Sequence, residues 1–413
     1  DVPVEYSGYE PVNYDECYSG AVTVEEALIR SLNVPAVNLY AQLGRHGLYH
    51  FLKEAEISTL PQAKEYYGLS LVLGGGEVTL LELTNLYCGL ANGGLFRPCR
   101  LVTSERANPG KRLLSEEACY ILTEMLCQLR RPELPAVWEW SINTPKVAWK
   151  TGTSYGHRDA WSIGYTPSYS IGVWAGNFNG KGAPALVGAE IAAPVLFDIF
   201  SALDIPGEER WFVQPAGVAT RQVCAVSGMF PTEHCPNREE ELYIPGISPQ
   251  QRCNIHCQVL VDKKTGYRLC SHCRHGRECE VRVYEKWPAA IAAWKARNGY
   301  PIEKIPPHLP TCTQIATGTA PVIHSPVAGA RYKLRADIDP AFQQILLDAQ
   351  VSNSTAEIFW FLDKELVYSG KPIRRIFIIP TPGWHNLICV DDEGRSSEIN
   401  ITVRQESVID SWQ

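Results

Sequence analysis

Residues 147–154 read VAWKTGTS, and their apolar and β-branched start predicts a β-strand. On such a strand Lys150 holds a positive charge at the floor of a cleft, and the hydroxyls of Thr151 and Thr153 can bind a substrate carboxylate. Gly152 has no side chain, so a substrate backbone can lie close against the strand edge. The stretch therefore predicts a cleft that binds a carboxylate-bearing substrate along this strand.

Two more strand-like segments follow at residues 158–167 and 169–176, joined by a Thr-Pro-Ser turn. Three consecutive strands predict an antiparallel meander with the Lys150 strand at one side. A second K-T-G occurs at residues 264–266, in a polar run between short apolar stretches. That context predicts a hairpin turn without a catalytic role.

Ser31 and Asn33 lie upstream, between two predicted helices, and the second of these helices is predicted to run from Pro35 to about Leu43. Thr23 and Glu26 form a capping-box pattern, and the helix that they start ends near Ser31, because Pro35 disfavours helical geometry at the residue before it. Ser31 and Asn33 can simply satisfy helix-end backbone groups. Together with the downstream Lys150-Thr151-Gly152, however, Ser31-Leu32-Asn33 gains a second interpretation. K-T-G and S-x-N are two of three signatures that occur together in one group of serine enzymes, and the third is S-x-x-K.

A glycine run at residues 74–76 precedes a predicted helix over residues 79–92. No lysine follows these glycines and no strand precedes them at P-loop spacing, so the run is predicted to be structural rather than phosphate-binding. A further helix is predicted from Ser115 to about Leu129.

Length and composition predict a multidomain globular protein. The 413 residues carry a net charge of −7, and no region has the concentrated basic stripe of a nucleic-acid binder. No apolar run is long enough to span a bilayer, and the N-terminus does not resemble a signal peptide. We expect three domains, at residues 1–205, 206–316 and 317–413, and a chain whose beginning lies elsewhere.

Cysteines are concentrated in the predicted middle domain, where seven of the fourteen lie between Cys224 and Cys279. This density favours an oxidising compartment and a disulfide-held module, in which the odd cysteine is either free or pairs outside the cluster, for example with Cys312. The alternative is zinc, because CNIHC at residues 253–257 and CSHC at residues 270–273 carry ligand types at tight spacing. Disulfides are the favoured prediction, with no metal and no cofactor.

The tail from Ala320 contains six short strand-like runs with turn signals between them, which predicts a β-sandwich. We expect a structural or docking module. Side chains alternate faces along a strand, so either Trp360 or the pair Phe359 and Phe361 lies in its core. We expect a neighbouring domain or a partner to cover the aromatic side chains that point outward.

Several motifs in order carry a resemblance to a known family. They are Ser31-Leu32-Asn33, the GGGE helix start at residues 74–77, and Lys150-Thr151-Gly152-Thr153 followed by RDAW at residues 158–161. The chain resembles the class A, high-molecular-weight penicillin-binding proteins over about residues 1–205. Its tail is similar to the Cys-containing connector and C-terminal domain of one type in that class.

The resemblance implies an α+β fold: a penicillin-binding, β-lactamase-like transpeptidase domain with an antiparallel sheet and helices, incomplete at its N-terminus. A Cys-rich connector and an all-β, immunoglobulin-like sandwich follow. It also implies D,D-transpeptidation, in which a serine attacks the D-alanyl-D-alanine carbonyl of a peptidoglycan stem peptide and an amine resolves the acyl-enzyme. Penicillins and other β-lactams occupy the same serine.

The resemblance also assigns roles. Ser31 relays protons to or from the leaving group, Asn33 orients the substrate amide, and Lys150 supports proton transfer electrostatically. Thr151 and Thr153 bind the terminal carboxylate beside Gly152, and the Thr153 N–H supplies part of the oxyanion hole.

The chain departs from the family pattern in one respect. The family nucleophile belongs to S-x-x-K, and no serine in this sequence has a lysine three positions later. We therefore expect a fragment or a truncated product that is inactive by itself and is attached to a membrane only through a missing N-terminal anchor.

The expected location is the periplasmic face of the bacterial inner membrane, with a bacterial α2-macroglobulin-like envelope protein as a possible partner. Two other functions stay open: a D,D-carboxypeptidase, and a non-catalytic module that docks envelope proteins.

Overall fold

A computed structural model describes residues 1–6, 8–44, 47–106, 108–129, 146–203, 211–270, 273–312, 320–335, 337–351, 355, 357–372, 375–392 and 394–406. The chain divides into two compact units. The first contains residues 1–222 and 240–249, and the second contains residues 223–239 and 250–413. The boundaries expected near residues 205 and 316 lie outside the described residues, so the three-domain division stays a prediction.

The first unit contains seven α-helices among its described residues: α1 (Val24–Ile29), α2 (Asn33–Gln42), α3 (Leu48–Glu54), α4 (Lys64–Tyr67), α5 (Leu80–Ala91), α6 (Glu116–Cys127) and α7 (Ala193–Ala202). Its strands are the short pair β1 (Leu95–Phe96) and β2 (Lys111–Arg112), and the meander β3 (Ala148–Thr153), β4 (Asp159–Tyr165) and β5 (Ser170–Gly176). Two more strands, β6 (Ala219–Cys224) and β7 (Arg238–Tyr243), contain points where the chain passes from one unit to the other.

The predicted meander is confirmed. The three strands are antiparallel in the order β3-β4-β5, with the Lys150 strand at the edge. Trp149 contacts Phe197 of α7 edge to face at 5.0 Å, and Gly164, its partner on β4, lies against α7 as well. Side chains alternate along a strand, so Lys150 points to the opposite face, where α5 packs. Helices therefore cover both faces of the sheet.

The helices around Ser31 differ in detail from the prediction. Thr23 accepts a hydrogen bond from the Glu26 N–H at 3.0 Å, but the Glu26 carboxylate pairs with Arg30 at 2.8 Å, so the described contacts contain one half of the capping box. Helix α2 begins at Asn33 rather than at Pro35. A proline in the first turn of a helix removes no intrahelical hydrogen bond, which is why the helix begins two residues earlier than predicted.

In the Cys-rich part of the second unit, the residues that the structure describes form a three-stranded sheet and one helix. The strands β8 (His256–Asp262), β9 (Arg268–Leu269) and β10 (Cys279–Glu285) lie in the order β10-β8-β9, and α8 spans Ala289–Arg297. The second K-T-G is the predicted hairpin turn. Asp262 Oδ1 accepts hydrogen bonds from the N–H groups of Lys264 and Thr265, at 2.8 and 3.1 Å.

The disulfide prediction is wrong. All fourteen cysteines lie in the described part of the chain, and no disulfide joins any two of them there. Cys270 Sγ and Cys273 Sγ, for example, lie 3.6 Å apart, whereas a disulfide bond is about 2.0 Å long. A high density of cysteines indicates an oxidising compartment, but the compartment does not determine how the sulfur atoms are arranged in space.

The described residues of the tail form eight strands in two sheets: β11 (Val322–Ser325), β12 (Arg331–Arg335), β13 (Ile345–Gln350), β14 (Ile358–Leu362), β15 (Glu365–Gly370), β16 (Ile376–Ile378), β17 (Gly383–Asp391) and β18 (Ser396–Glu406). The sheets have the orders β11-β13-β16 and β12-β18-β17-β14-β15. The sheets share a core in which Trp360 is fully buried, while Phe359 and Phe361 are partly exposed. Of the two predicted alternatives, Trp360 is the inward residue.

Within the described ranges, none of the helices is both long and apolar enough to cross a membrane.

Candidate active site

The first unit contains a cleft of about 1710 Å³ against the meander. The structure brings to this one cleft all six residues that the sequence predicted for a site, namely Ser31, Asn33, Lys150, Thr151, Gly152 and Thr153. They come from two places, the α1–α2 connection and strand β3, which are 119 positions apart in sequence at Ser31 and Lys150.

Lys150 joins these two places. Its Nζ donates a short hydrogen bond to Ser31 Oγ and a second one to the Thr151 carbonyl at 3.1 Å. Burial lowers the pKa of Lys150 to about 8, because a charged ammonium is less stable where protein replaces water. At neutral pH the side chain is therefore still mostly charged, but it can exchange a proton at little cost.

Ser31 has a strained backbone. Its φ of 56° lies in the left-handed region, which a residue with a side chain seldom adopts. The Ser31 N–H donates to Leu28 O and the Leu32 N–H donates to Ala27 O, which is a helix C-terminal motif that usually uses glycine. A serine at this position costs about 1 kcal/mol or more, and such strain is concentrated at functional sites. With this backbone conformation, Ser31 Oγ lies within hydrogen-bond distance of Lys150 Nζ.

Asn13, a residue that the sequence did not indicate, holds the α1–α2 connection in place. Its buried side chain accepts hydrogen bonds from the N–H groups of Asn33, at 2.9 Å, and Val34, at 3.2 Å. It thus caps helix α2, whose own N-cap, Leu32, has no side-chain acceptor. The Asn33 side chain donates to Val12 O at 2.9 Å. The cap lies 20 residues before Asn33 in sequence, so no local pattern predicts it.

We expect Asn13→Ala to lower the free energy of unfolding by about 1–3 kcal/mol, because two helix N–H groups lose their acceptor in a buried position. Urea denaturation of the chain, followed by circular dichroism, measures this. The matched control is Asn38→Ala on the exposed side of the same helix, where a change within about 0.5 kcal/mol is expected. Equal losses for both variants would contradict a capping role.

The edge of β3 presents backbone groups to the cleft. The Ser154 N–H donates to Asp159 O at 3.0 Å, toward β4. Backbone groups alternate in direction along a strand, so the N–H of Thr153 points away from β4, to the open edge. The Thr151 carbonyl points the same way and accepts the second hydrogen bond of Lys150.

Thr153 is oriented by a second residue that the sequence analysis missed. Its Oγ1 accepts a hydrogen bond from the Gly188 N–H at 3.0 Å, which leaves the hydroxyl proton available to a substrate. Gly188 must be a glycine, because a Cβ there would lie 2.4 Å from Gly152 O and 2.7 Å from Trp161 O.

Comparisons with known proteins place the chain near one family. Three family models match the chain: the penicillin binding protein transpeptidase domain at residues 1–200, the C-terminal domain of penicillin-binding protein 1A at residues 214–258, and the Penicillin-Binding Protein C-terminus Family at residues 310–401. Penicillin-binding protein 1A of Clostridium botulinum (strain Hall) is 30% identical over 67% of this chain and 35% of its own length. The crystal structure of penicillin-binding protein 1A from Haemophilus influenzae aligns with a TM-score of 0.49 and 18% identity, over 61% of this chain and 44% of that one.

The chain therefore belongs to the penicillin-binding proteins, with a transpeptidase domain and C-terminal domains of the class A type. Within that family, penicillin-binding protein 1C of Escherichia coli K12 is 26% identical to this chain over 98% of the chain's length. The chain spans 53% of the length of that relative.

Proposed function

We propose that this chain forms part of a D,D-transpeptidase of peptidoglycan synthesis that works through a serine acyl-enzyme. The observation that carries the proposal is the contact of Lys150 Nζ with Ser31 Oγ, on the floor of a cleft beside an open strand edge. The transpeptidase family model over residues 1–200 supports the same reaction class.

In the proposed reaction, a serine of an S-x-x-K segment attacks the D-alanyl-D-alanine carbonyl, and the peptide bond to the last D-alanine breaks. Ser31 relays to the leaving amine the proton that the attacking serine loses, and the neighbouring Lys150 ammonium stabilises the negative charge that forms during the transfer. The amine of a second stem peptide then attacks the acyl-enzyme, which forms the cross-link and frees the serine.

The open edge of β3 suits the rest of the substrate. An extended stem peptide can pair with this edge as an added strand, and Gly152 leaves room for its backbone. The outward N–H of Thr153 then donates to the oxyanion, while the hydroxyls of Thr151 and Thr153 donate to the terminal carboxylate. Asn33 is proposed to orient the substrate amide, which requires its side chain to exchange its bond with Val12 O for one with substrate.

The proposed setting is the periplasmic face of the bacterial inner membrane, where stem peptides are cross-linked. β-Lactams are proposed as inhibitors that acylate the same serine. The α2-macroglobulin-like envelope partner stays a prediction, because no observation on the described residues bears on it.

We expect the 413-residue chain alone to form no covalent adduct with a fluorescent penicillin, since none of its serines belongs to S-x-x-K. A form extended before Asp1 by a segment that carries S-x-x-K should be labelled. Electrophoresis under denaturing conditions separates covalent from non-covalent labelling. A denaturation-resistant band from the 413-residue chain would mean that the nucleophile lies within it.

The extended form also distinguishes transfer from hydrolysis. With a stem peptide ending in D-alanyl-D-alanine and an acceptor amine, we expect the cross-linked product by mass spectrometry. Release of D-alanine without any cross-link, even at high acceptor concentration, would favour a D,D-carboxypeptidase instead.

A further inference from the structure

Two clusters of cysteine and histidine in the second unit have no role in the proposed reaction. The buried cluster consists of Cys224, Cys235, Cys253 and His256, and the half-exposed cluster consists of Cys270, Cys273, His308 and Cys312. In each cluster the four potential ligand atoms all lie within 4.8 Å of one another. Each therefore offers three sulfur atoms and one imidazole nitrogen to a common centre.

The distances in the buried cluster fit a tetrahedral ion. Cys253 Sγ lies 3.7 Å from Cys224 Sγ. His256 Nδ1 lies 3.4 Å from Cys224 Sγ and 3.5 Å from Cys253 Sγ. Zinc with Zn–S bonds of about 2.3 Å and Zn–N bonds of about 2.0 Å has S···S edges of about 3.8 Å and S···N edges of about 3.5 Å.

The half-exposed cluster repeats these distances with different ligands. Cys270 Sγ lies 3.6 Å from Cys273 Sγ and 3.8 Å from Cys312 Sγ, and His308 Nε2 lies 3.6 Å from Cys273 Sγ. His272, which the sequence offered as a ligand, lies outside the described residues. Two unrelated sets of residues thus give the same tetrahedral spacing.

Backbone contacts hold the sulfur atoms at these distances. The Thr232 N–H donates to Cys235 Sγ at 3.3 Å, and the Cys270 N–H donates to Cys273 Sγ at 3.2 Å. Such hydrogen bonds stabilise a thiolate. The segment that carries His308 is joined to β9 by hydrogen bonds from Arg268 N to Pro307 O and from Leu309 N to Arg268 O.

The surroundings of His256 Nε2 are consistent with a metal bound at Nδ1. Its Nε2 is buried, makes no hydrogen bond with the described residues, and lies 4.0 Å from Glu285 Oε1. A histidine that binds a metal through one nitrogen usually directs the other toward a carboxylate.

Disulfides do not satisfy either cluster. Each has three cysteines and one histidine, so one disulfide would join only two of the four groups and leave a thiol and an imidazole outside it. The clusters also replace a hydrophobic core: Cys224, Cys235 and Cys253 are half of the six buried residues in the main apolar cluster of this region. A small core of this kind usually requires a metal or disulfides to be stable.

We propose that each cluster binds one Zn²⁺ ion through three cysteine thiolates and one histidine. Four protein ligands leave no open position, so both sites are structural rather than catalytic. Three thiolates select a thiophilic ion over Mg²⁺ or Ca²⁺. Binding releases the protons of the thiols, up to three at each site. This proposal reverses the expectation of no metal and is independent of the transpeptidase proposal.

The test measures zinc in the full 413-residue chain, purified with zinc in the medium and dialysed against metal-free buffer. Inductively coupled plasma mass spectrometry should find two zinc ions per chain. Cys253→Ala and Cys273→Ala should each lower this number to one, and the double variant should bind none.

Matched controls are available in the same region. Cys257 and Cys279 lie on β8 and β10 outside both clusters, so Cys257→Ala and Cys279→Ala should each keep two zinc ions. Equal loss of zinc from a control variant and a cluster variant would overturn the assignment.

A second measurement uses the unaltered chain and does not depend on how the variants fold. Replacing zinc by Co²⁺ should produce the visible absorption of tetrahedral cobalt and a thiolate-to-cobalt charge-transfer band, for two ions per chain. Peptide mapping without reductant should find no disulfide among the six cluster cysteines. Substoichiometric zinc together with such a disulfide would overturn the proposal.

Discussion

Replacing Lys150 by alanine is expected to lower the rate of penicillin acylation at least about tenfold, which corresponds to about 1.4 kcal/mol of activation free energy. The variant loses the ammonium that donates to Ser31 Oγ and, with it, the charge beside the proton-transfer step. The measurement is the second-order rate constant for labelling by a fluorescent penicillin, made in the form extended by an S-x-x-K segment.

The second K-T-G provides the control. Lys264→Ala changes the same motif in a hairpin turn, so the labelling rate should stay unchanged. Equal effects at both lysines would refute the choice of Lys150.

The pH dependence adds a further check. Because the pKa of Lys150 is lowered to about 8, its charge is present below that pH, and the labelling rate should fall as pH rises through about 8. Lys150→Arg keeps its charge, and any activity that it retains should not show this fall.

The part of the site that could be predicted from sequence is the part that is local. The residues of β3 show a strand pattern that places Lys150 on a strand. The motifs shared with the family then associate Lys150 with Ser31, which lies 119 positions away and contacts it in the structure. Asn13 and Gly188 could not be found this way. Asn13 accepts hydrogen bonds from two residues, 20 and 21 positions away, and Gly188 donates one to Thr153, 35 positions away. Neither residue lies in a sequence pattern that differs from that of an ordinary turn.

The two Cys–His clusters were misjudged for a related reason. The sequence offered the right residue types, but His308 lies 35 positions from Cys273, and only the fold brings them together. The prediction of disulfides rested on an oxidising compartment, which is a property of the surroundings of the whole protein. The choice between a disulfide and a metal depends on whether sulfur atoms lie about 2.0 or about 3.8 Å apart.

The tail was predicted more completely because its pattern is periodic. Alternation along β14 allowed two arrangements of its aromatic residues, and the strand's pairing with β17 selects the one with Trp360 inside. Leu387, Cys389 and Ile401 lie in the same buried cluster. Sequence alone could not choose, since both faces of β14 carry aromatic side chains.

Replacing Trp360 by alanine is expected to lower the free energy of unfolding of the tail by about 3–5 kcal/mol, because a fully buried indole leaves a cavity. Its Nε1 makes no hydrogen bond with the described residues, so the loss is one of packing. The measurement is urea denaturation of the tail expressed from about residue 318, which we expect to fold cooperatively by itself and to bind no penicillin.

Trp384 is the matched control, since it lies on β17 of the same sheet and is 63% exposed. Trp384→Ala should change the free energy of unfolding by no more than about 0.5 kcal/mol, because little apolar surface is released. Removing the tail from the extended form should leave penicillin labelling nearly intact. A tail that is unfolded by circular dichroism, and whose removal also abolishes labelling, would instead be an integral part of the catalytic domain.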